Sequence, residues 1–309
     1  MQHSKWHPSE GVTRHSGGAI AADTDFFVAP SPEIGTIITA DSNLVTSKQE
    51  METSKCWMFI LLGAFLGGAF FQILPLIFGL GSSIGWHIAS VVSALTVGLI
   101  IHTKTSFSYL CSYVGDQGIE EHKISGSRQG KLISQRLKFN EAEDLYTAQT
   151  RMYTNGVYTG TNYLYKWIKS GTKPFRLAGS YHNKKGWPEE GHAWHCANSG
   201  EAVWSNYRLR QLNQDLDKQG FIEFAMKGNP KAVRVGSGFL EFVLKDNSTQ
   251  RVGAKDMKKI TLGSGNFNFV HNNAKWWSGK GKYSFNYSNL PNAKLFLLCL
   301  DRLVGISWS

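Results

Sequence analysis

CWMFILLGAFLGGAFFQILPLIFGLGSSIGWHIASVVSALTVGLII, residues 56–101, contains no Asp, Glu, Lys or Arg. A helix of about 20 apolar residues crosses a hydrocarbon core of roughly 30 Å, and this run is about twice that long. It reads as two membrane spans, 57–78 and 84–101, that reverse direction over 79–85. There Gly79, Gly81, Ser82, Ser83 and Gly85 supply the small residues a tight turn needs. Trp57 and Trp86 then fall at opposite interfaces, where indole rings prefer to sit. The competing reading is a buried hairpin in a soluble protein, but soluble core helices seldom run this far without a charge.

Within the first span, Gly63-x-x-x-Gly67 and Ala64-x-x-x-Gly68 allow a second backbone to approach closely. That surface suits the second span, through Ala89, Ser90, Ser93 and Gly98, as well as it suits a neighbouring subunit, and the sequence leaves both open. Gln72 and Pro75 add a polar group and a kink. A pore or transport path would call for intramembrane charges, and the run has none.

Outward from the hairpin, charge is segregated. Four Lys+Arg and seven Asp+Glu precede Thr103, whereas 29 and 16 follow, so a front part of −3 is joined to a back part of +13. Lys48 and Lys55 flank the first span, Lys104 follows the second, and the connecting turn has no basic residue. Translocation of Lys and Arg is disfavoured, so both termini are expected in the cytoplasm. The four cysteines, Cys56, Cys111, Cys196 and Cys299, form no CxxC pair and suit a reducing compartment. A cleaved signal peptide does not fit an apolar segment that starts so late and continues into a second span.

Residues 1–55, rich in Ser, Thr, Gly, Pro and His, show no sustained period and read as a largely disordered tail. Phe26, Phe27, Val28, Ile34, Ile37 and Ile38 form apolar patches in it. These are either stray or able to dock on a partner or on the chain's own domain.

Behind the hairpin the pattern turns to β. Short runs rich in Tyr, Val, Ile, Phe and Trp occur at 113–124, 131–139, 145–160, 163–168, 175–182 and 192–197. Asn155-Gly156 is the strongest hairpin signal among them. A helix over about 200–218 closes the run, with Asn198 as N-cap, Glu201 completing a capping box and Gly220 as the stop. The order then repeats. Seven short β runs between 221 and 288 are followed by a helix begun at Pro291, with Leu295, Phe296, Cys299, Leu300 and Leu303 on one face. Two strand-rich blocks, 110–219 and 220–306, each end in one amphipathic helix.

A partly open antiparallel barrel closed by a C-terminal helix is the pleckstrin-homology-like (PH-like) architecture. The chain resembles bacterial two-span membrane proteins with tandem PH-like domains. The resemblance rests on Thr150-Arg-Met-Tyr-Thr-Asn-Gly-Val-Tyr158, on Lys166-Trp167-Ile168 and on Asn289-Leu-Pro-Asn-Ala-Lys-Leu-Phe296. It implies a bacterial inner membrane, or an internal membrane derived from it. It also implies headgroup binding by the loop between the first strands, at Lys123 and Arg128.

The charge surplus supplies the functional signal. A cationic surface tethered at a membrane is drawn to anionic headgroups, by about 1 kcal/mol per nearby Lys or Arg. Candidate residues for lipid or an acidic partner are Lys123, Arg128, Lys131, Arg136 and Lys138 in the first block, and Lys255, Lys258 and Lys259 in the second. Trp276 and Trp277 form an aromatic contact patch, either a protein contact or a plug at a barrel mouth. Beside Lys280 and Lys282 they also resemble a single-strand nucleic-acid platform, but membrane anchorage makes nucleic acid the third choice.

His192, His195 and Cys196 are the one metal-like cluster. On a strand the two histidines point to opposite faces, and a further ligand such as His122 or His182 cannot be placed from the sequence, so no metal or other cofactor is expected. No nucleophile elbow, P-loop, dinucleotide fingerprint or HExxH occurs, and the Gly-Ser-Gly turns at 236–238 and 263–265 precede no helix. The expectation is a non-enzymatic scaffold or accessory subunit. Its partners would be membrane lipids and other membrane-protein subunits, or copies of itself. A lipid-sensing regulatory module is the alternative and a membrane-bound enzyme the third reading.

Overall fold

The computed structural model of the chain describes residues 6–43, 53–79, 84–105, 107–126, 131–184, 186–228, 230–263, 265–272, 274 and 281–306. A first strand, β1 (Ile37–Ser42), precedes two long helices, α1 (Thr53–Ile77) and α2 (Ile84–Thr105). Both are long and apolar enough to cross a membrane, over Trp57–Ile77 and Ile84–Ile101, within a residue of the expected spans. Their outward side chains are bare: Phe65 is 71% exposed, Leu76 80% and Leu95 69%. Among the described residues nothing else covers this apolar surface, which counts against the soluble-hairpin reading.

The small residues of α1 face α2. A Cβ on Gly67 would stand 2.9 Å from Val97 Cγ2, and one on Gly63 would overlap Ile101 Cδ1. A Cβ on Gly68 would lie 3.5 Å from that of Ala94, and the Ser90 hydroxyl donates to the Gly68 carbonyl (2.6 Å). Within the chain, this face packs against α2. Gln72 Nε2 also meets His87 Nδ1 across the pair, at 3.1 Å.

After the hairpin come β2 (Phe107–Gly115), β3 (Gly118–Gly126), β4 (Leu132–Lys138), β5 (Ala142–Thr154), β6 (Val157–Lys169), β7 (Phe175–Tyr181) and α3 (Ala193–Gln219). The second unit is β8 (Phe221–Ala225), β9 (Ala232–Gly236), β10 (Phe239–Val243), β11 (Thr249–Gly253), β12 (Met257–Gly263), β13 (Asn266–His271), β14 (Lys282–Asn286) and α4 (Ala293–Cys299), which continues as a π-helical turn over Leu300–Val304. Each unit has a four-stranded and a three-stranded antiparallel sheet, β1-β2-β3-β4 with β5-β6-β7, then β11-β10-β9-β8 with β12-β13-β14. Asn155 (φ 50°) and Gly156 (φ 79°) make the predicted turn between β5 and β6 with both residues left-handed.

The reading of residues 1–55 as a disordered tail is corrected over 6–43. β1 lies in that segment and pairs antiparallel with β2, Ser42 opposite Cys111, so the hairpin is spliced into the connection between two neighbouring strands. The first unit therefore begins before the hairpin and not at residue 110. The residues ahead of β1 cover the outer face of the first sheet. Phe26, Phe27 and Ile34 join Tyr109, Cys111, Tyr113 and Ile124 in a core of their own. Trp6 packs edge-on against both Phe26 (4.9 Å) and Tyr113 (5.2 Å), and the Tyr113 hydroxyl donates to the Val28 carbonyl. A side chain at Gly115 would collide with the Ile34 carbonyl, so glycine lets the cover reach the β2–β3 turn.

His15 ties this cover to both strands, through Thr39 Oγ1 (2.7 Å) and Ser112 Oγ (3.0 Å). Burial pushes its pKa down to about 4, so the ring is neutral at physiological pH.

The other face of the first sheet closes over Val114, Ile119, Leu137, Phe139, Trp167 and Trp204. α3 belongs to both units: Trp194, Cys196, Ala197 and Trp204 enter the first core, and Leu209, Leu212 and Leu216 pack on the second, around Phe242, Phe267 and Phe296. It also begins earlier than expected. His192 is the N-cap and accepts from the Trp194 amide, whereas Asn198 and Glu201 lie inside the helix. The aromatic run at 192–197 has helical amphipathicity that a strand template also accommodates over so short a window.

Candidate functional site

The end of α2 places one end of the first sheet beside the hairpin. β1 leaves that end at Ser42, and only Ser106 separates α2 from β2. Phe107 pairs with Gly126, so the end of β3 and the start of β4 lie there too. Lys123 and Lys131 are exposed at this end, next to Leu132 (36% exposed) and Ile133 (56%). Lys123 and Ile133 are cross-strand partners. Exposed cations among exposed aliphatics suit an interface between headgroups and acyl chains. Arg128 lies outside the described residues.

Arg136 and Lys138 do not belong to this group. Arg136 Nε and Nη2 donate to Glu120 Oε1 (2.9 and 2.7 Å), and its Nη1 to Glu33. Lys138 Nζ contacts Glu141 (2.8 Å) and Glu33 (3.7 Å). Both fasten the N-terminal cover to β4. Burial opposes charge on Glu120, but the His122 ring, the Ser31 amide and Arg136 outweigh it and hold the carboxyl down at about 2. In the second unit Lys255 and Lys258 are exposed around the β11–β12 corner, on a different sheet. The Lys259 side chain, Trp276 and Trp277 lie outside the described residues.

A second site was missed by the sequence reading, which assigned Glu201 to a helix cap. Between the units lies a cleft of about 710 Å³, lined on one side by 147–151 of β5, Tyr165, Asn198 and Glu201, and on the other by Gly265, Asn286, Tyr287, Ser288 and Lys294. Burial pushes the Glu201 carboxyl up to about 7, offset only in part by Lys294. Among the described residues it has no hydrogen-bond partner.

One residue joins the units beside this cleft. Asn292, left-handed at φ 54° and 6% exposed, precedes α4. Its Oδ1 accepts from the Leu145 amide (3.0 Å) and Trp204 Nε1 (2.8 Å), its Nδ2 donates to Asp144 (2.9 Å), and its own amide donates to the Leu145 carbonyl (2.7 Å). A short polar side chain tolerates the left-handed region, which accounts for asparagine here. The signal for the cleft was available only as a polar residue placed before an apolar helix.

The metal-like cluster is a helix start. His192 caps α3, His195 Nε2 contacts the carbonyls of Pro188 (3.0 Å) and Glu189 (3.2 Å), and burial pushes the Cys196 thiol up. Among the described residues no group of three His, Cys, Asp or Glu side chains is arranged to hold a metal. Compared with known proteins, the chain matches no protein-family model and no curated sequence.

Proposed function

We propose that this chain is a non-enzymatic, membrane-anchored scaffold. In this reading the hairpin crosses the bilayer twice and two PH-like units, each closed by its helix, sit at the cytoplasmic surface. The near-membrane end of the first sheet then rests on anionic headgroups. The observation that carries the reading is the splice: a hairpin inserted between neighbouring strands, with a single residue before β2, keeps that sheet end at the bilayer. Lys123 stands three residues from the end of β3, on the order of 10 Å of strand. The four-plus-three strand count with a terminal helix, repeated twice, supports the PH-like assignment. Lys123 and Lys131 replace the longer list of cations as the headgroup contacts.

The test uses the full chain in lipid nanodiscs with and without phosphatidylserine, reading acylation of individual lysines. Lys123 and Lys131 are expected to be protected by the anionic lipid and released by high salt, with Lys255 and Lys258 little changed. Equal reactivity in both lipids overturns the headgroup contact. Release of the chain from membranes by alkaline carbonate overturns the anchor.

A further inference from the structure

We propose that the cleft between the units binds an extended segment of a partner protein, added as a strand to the free edge of β5 with one basic side chain directed at Glu201.

Among the described residues β5 pairs with β6 and with no other strand. Its backbone groups point alternately toward β6 and away from it. Leu145 turns both its N–H and its C=O away from β6, and Asn292 occupies both. The register is regular from Asp144 to Met152, so Thr147, Gln149 and Arg151 turn the same way, along the cleft. Among the described residues no hydrogen bond reaches those backbone groups. Asn292 is thus the first rung of a ladder whose next rungs are open.

Proteins usually blunt such an edge with proline, a bulge or an inward charge. Here 144–152 has no proline, and the bulge comes only after Met152. Main-chain bonding along an edge supplies affinity, and pockets for alternate side chains supply selectivity. Glu201 forms such a pocket: it is nine-tenths buried, opens on the cleft and lacks a partner of its own. A Lys or Arg side chain complements it. Lys294 on the facing wall and Arg151 at the far end disfavour basic residues elsewhere in the segment. The proposal names the kind of partner the scaffold reading requires, although its geometry does not depend on the headgroup contact.

The experiment pans a random-peptide phage library against the full chain in neutral-lipid nanodiscs, and takes one synthetic peptide from the pool into hydrogen exchange. The expected pool alternates in polarity with one Lys or Arg in a fixed register, and the peptide slows exchange at Thr147, Gln149 and Arg151. Gln149→Pro deletes an edge N–H without touching the β5–β6 ladder, and is expected to weaken binding by roughly tenfold. Gln149→Val keeps the N–H and the affinity, and Glu201→Gln removes the preference for a basic residue. An empty selection, protection located elsewhere, or binding unchanged by Gln149→Pro overturns the proposal. If the proline variant does not fold, the exchange pattern decides. Neutral discs keep this result separate from the headgroup test, so either can fail alone.

Discussion

Glu120 is 1% exposed and still ionised, because Arg136 and the Ser31 amide meet it inside the sheet's edge. Its folded pKa, about 2, lies below the usual 4.5, so its contribution is complete above about pH 4.5 and is lost as pH falls toward 2. Glu120→Gln should cost about 2 kcal/mol at pH 7 by chemical denaturation, less than a fully buried pair because Arg136 is partly solvated. Glu201 has the opposite sign. Its folded pKa, about 7, lies above 4.5, so stability falls as pH rises from 4.5 to 7 and is level beyond. Glu201→Gln should flatten that slope and stabilise the chain at pH 8 by up to about 3 kcal/mol. Neither role was legible in sequence: Arg136 and Lys138 read as free cations because Glu33 stands about a hundred residues upstream.

At the scale of elements, α1 and α2 were legible because an uncharged run needs no partner to be recognised. β1 was not, because its partner lies beyond the hairpin and its six residues, IITADS, carry too little alternation to stand alone. The helix pair gives a sharp test. A Cβ at Gly98 would lie 3.6 Å from that of Ala64, within the span a disulfide needs. Ala64→Cys with Gly98→Cys should oxidise to a monomeric cross-link on non-reducing gels, whereas a disulfide-linked dimer would assign the glycine face to a neighbour. The Asn292 junction is a second element-scale test. Asn292→Ala orphans the Leu145 amide and Trp204 Nε1 and should cost about 3 kcal/mol. Thermal unfolding should then separate into two transitions, because the shared α3 becomes the principal tie between the units.

For the whole molecule, the order of two strand-rich blocks was readable from turn residues and aromatic runs, but their fusion was not. α3 serves two cores and Asn292 bridges them, and neither contact leaves a local pattern. A soluble derivative consequently cannot begin at residue 105, since that fragment lacks β1 and the cover that buries Tyr109 and Tyr113. Replacing 44–106 by a short turn that joins Asn43 to Phe107 should yield a monomeric soluble chain with native β circular dichroism, whereas the 105–309 fragment should aggregate.

The splice also sets an order of events during synthesis. If the hairpin spans a bilayer as proposed, β1 leaves the ribosome before it and β2 after it, so the first sheet cannot form until both strands lie on one side of the membrane. A chain in which only one helix crosses would hold β1 and β2 on opposite faces, with Phe26, Phe27 and Ile34 uncovered. On that placement, closure of the first sheet would depend on membrane topology, because a misinserted chain leaves this apolar surface open.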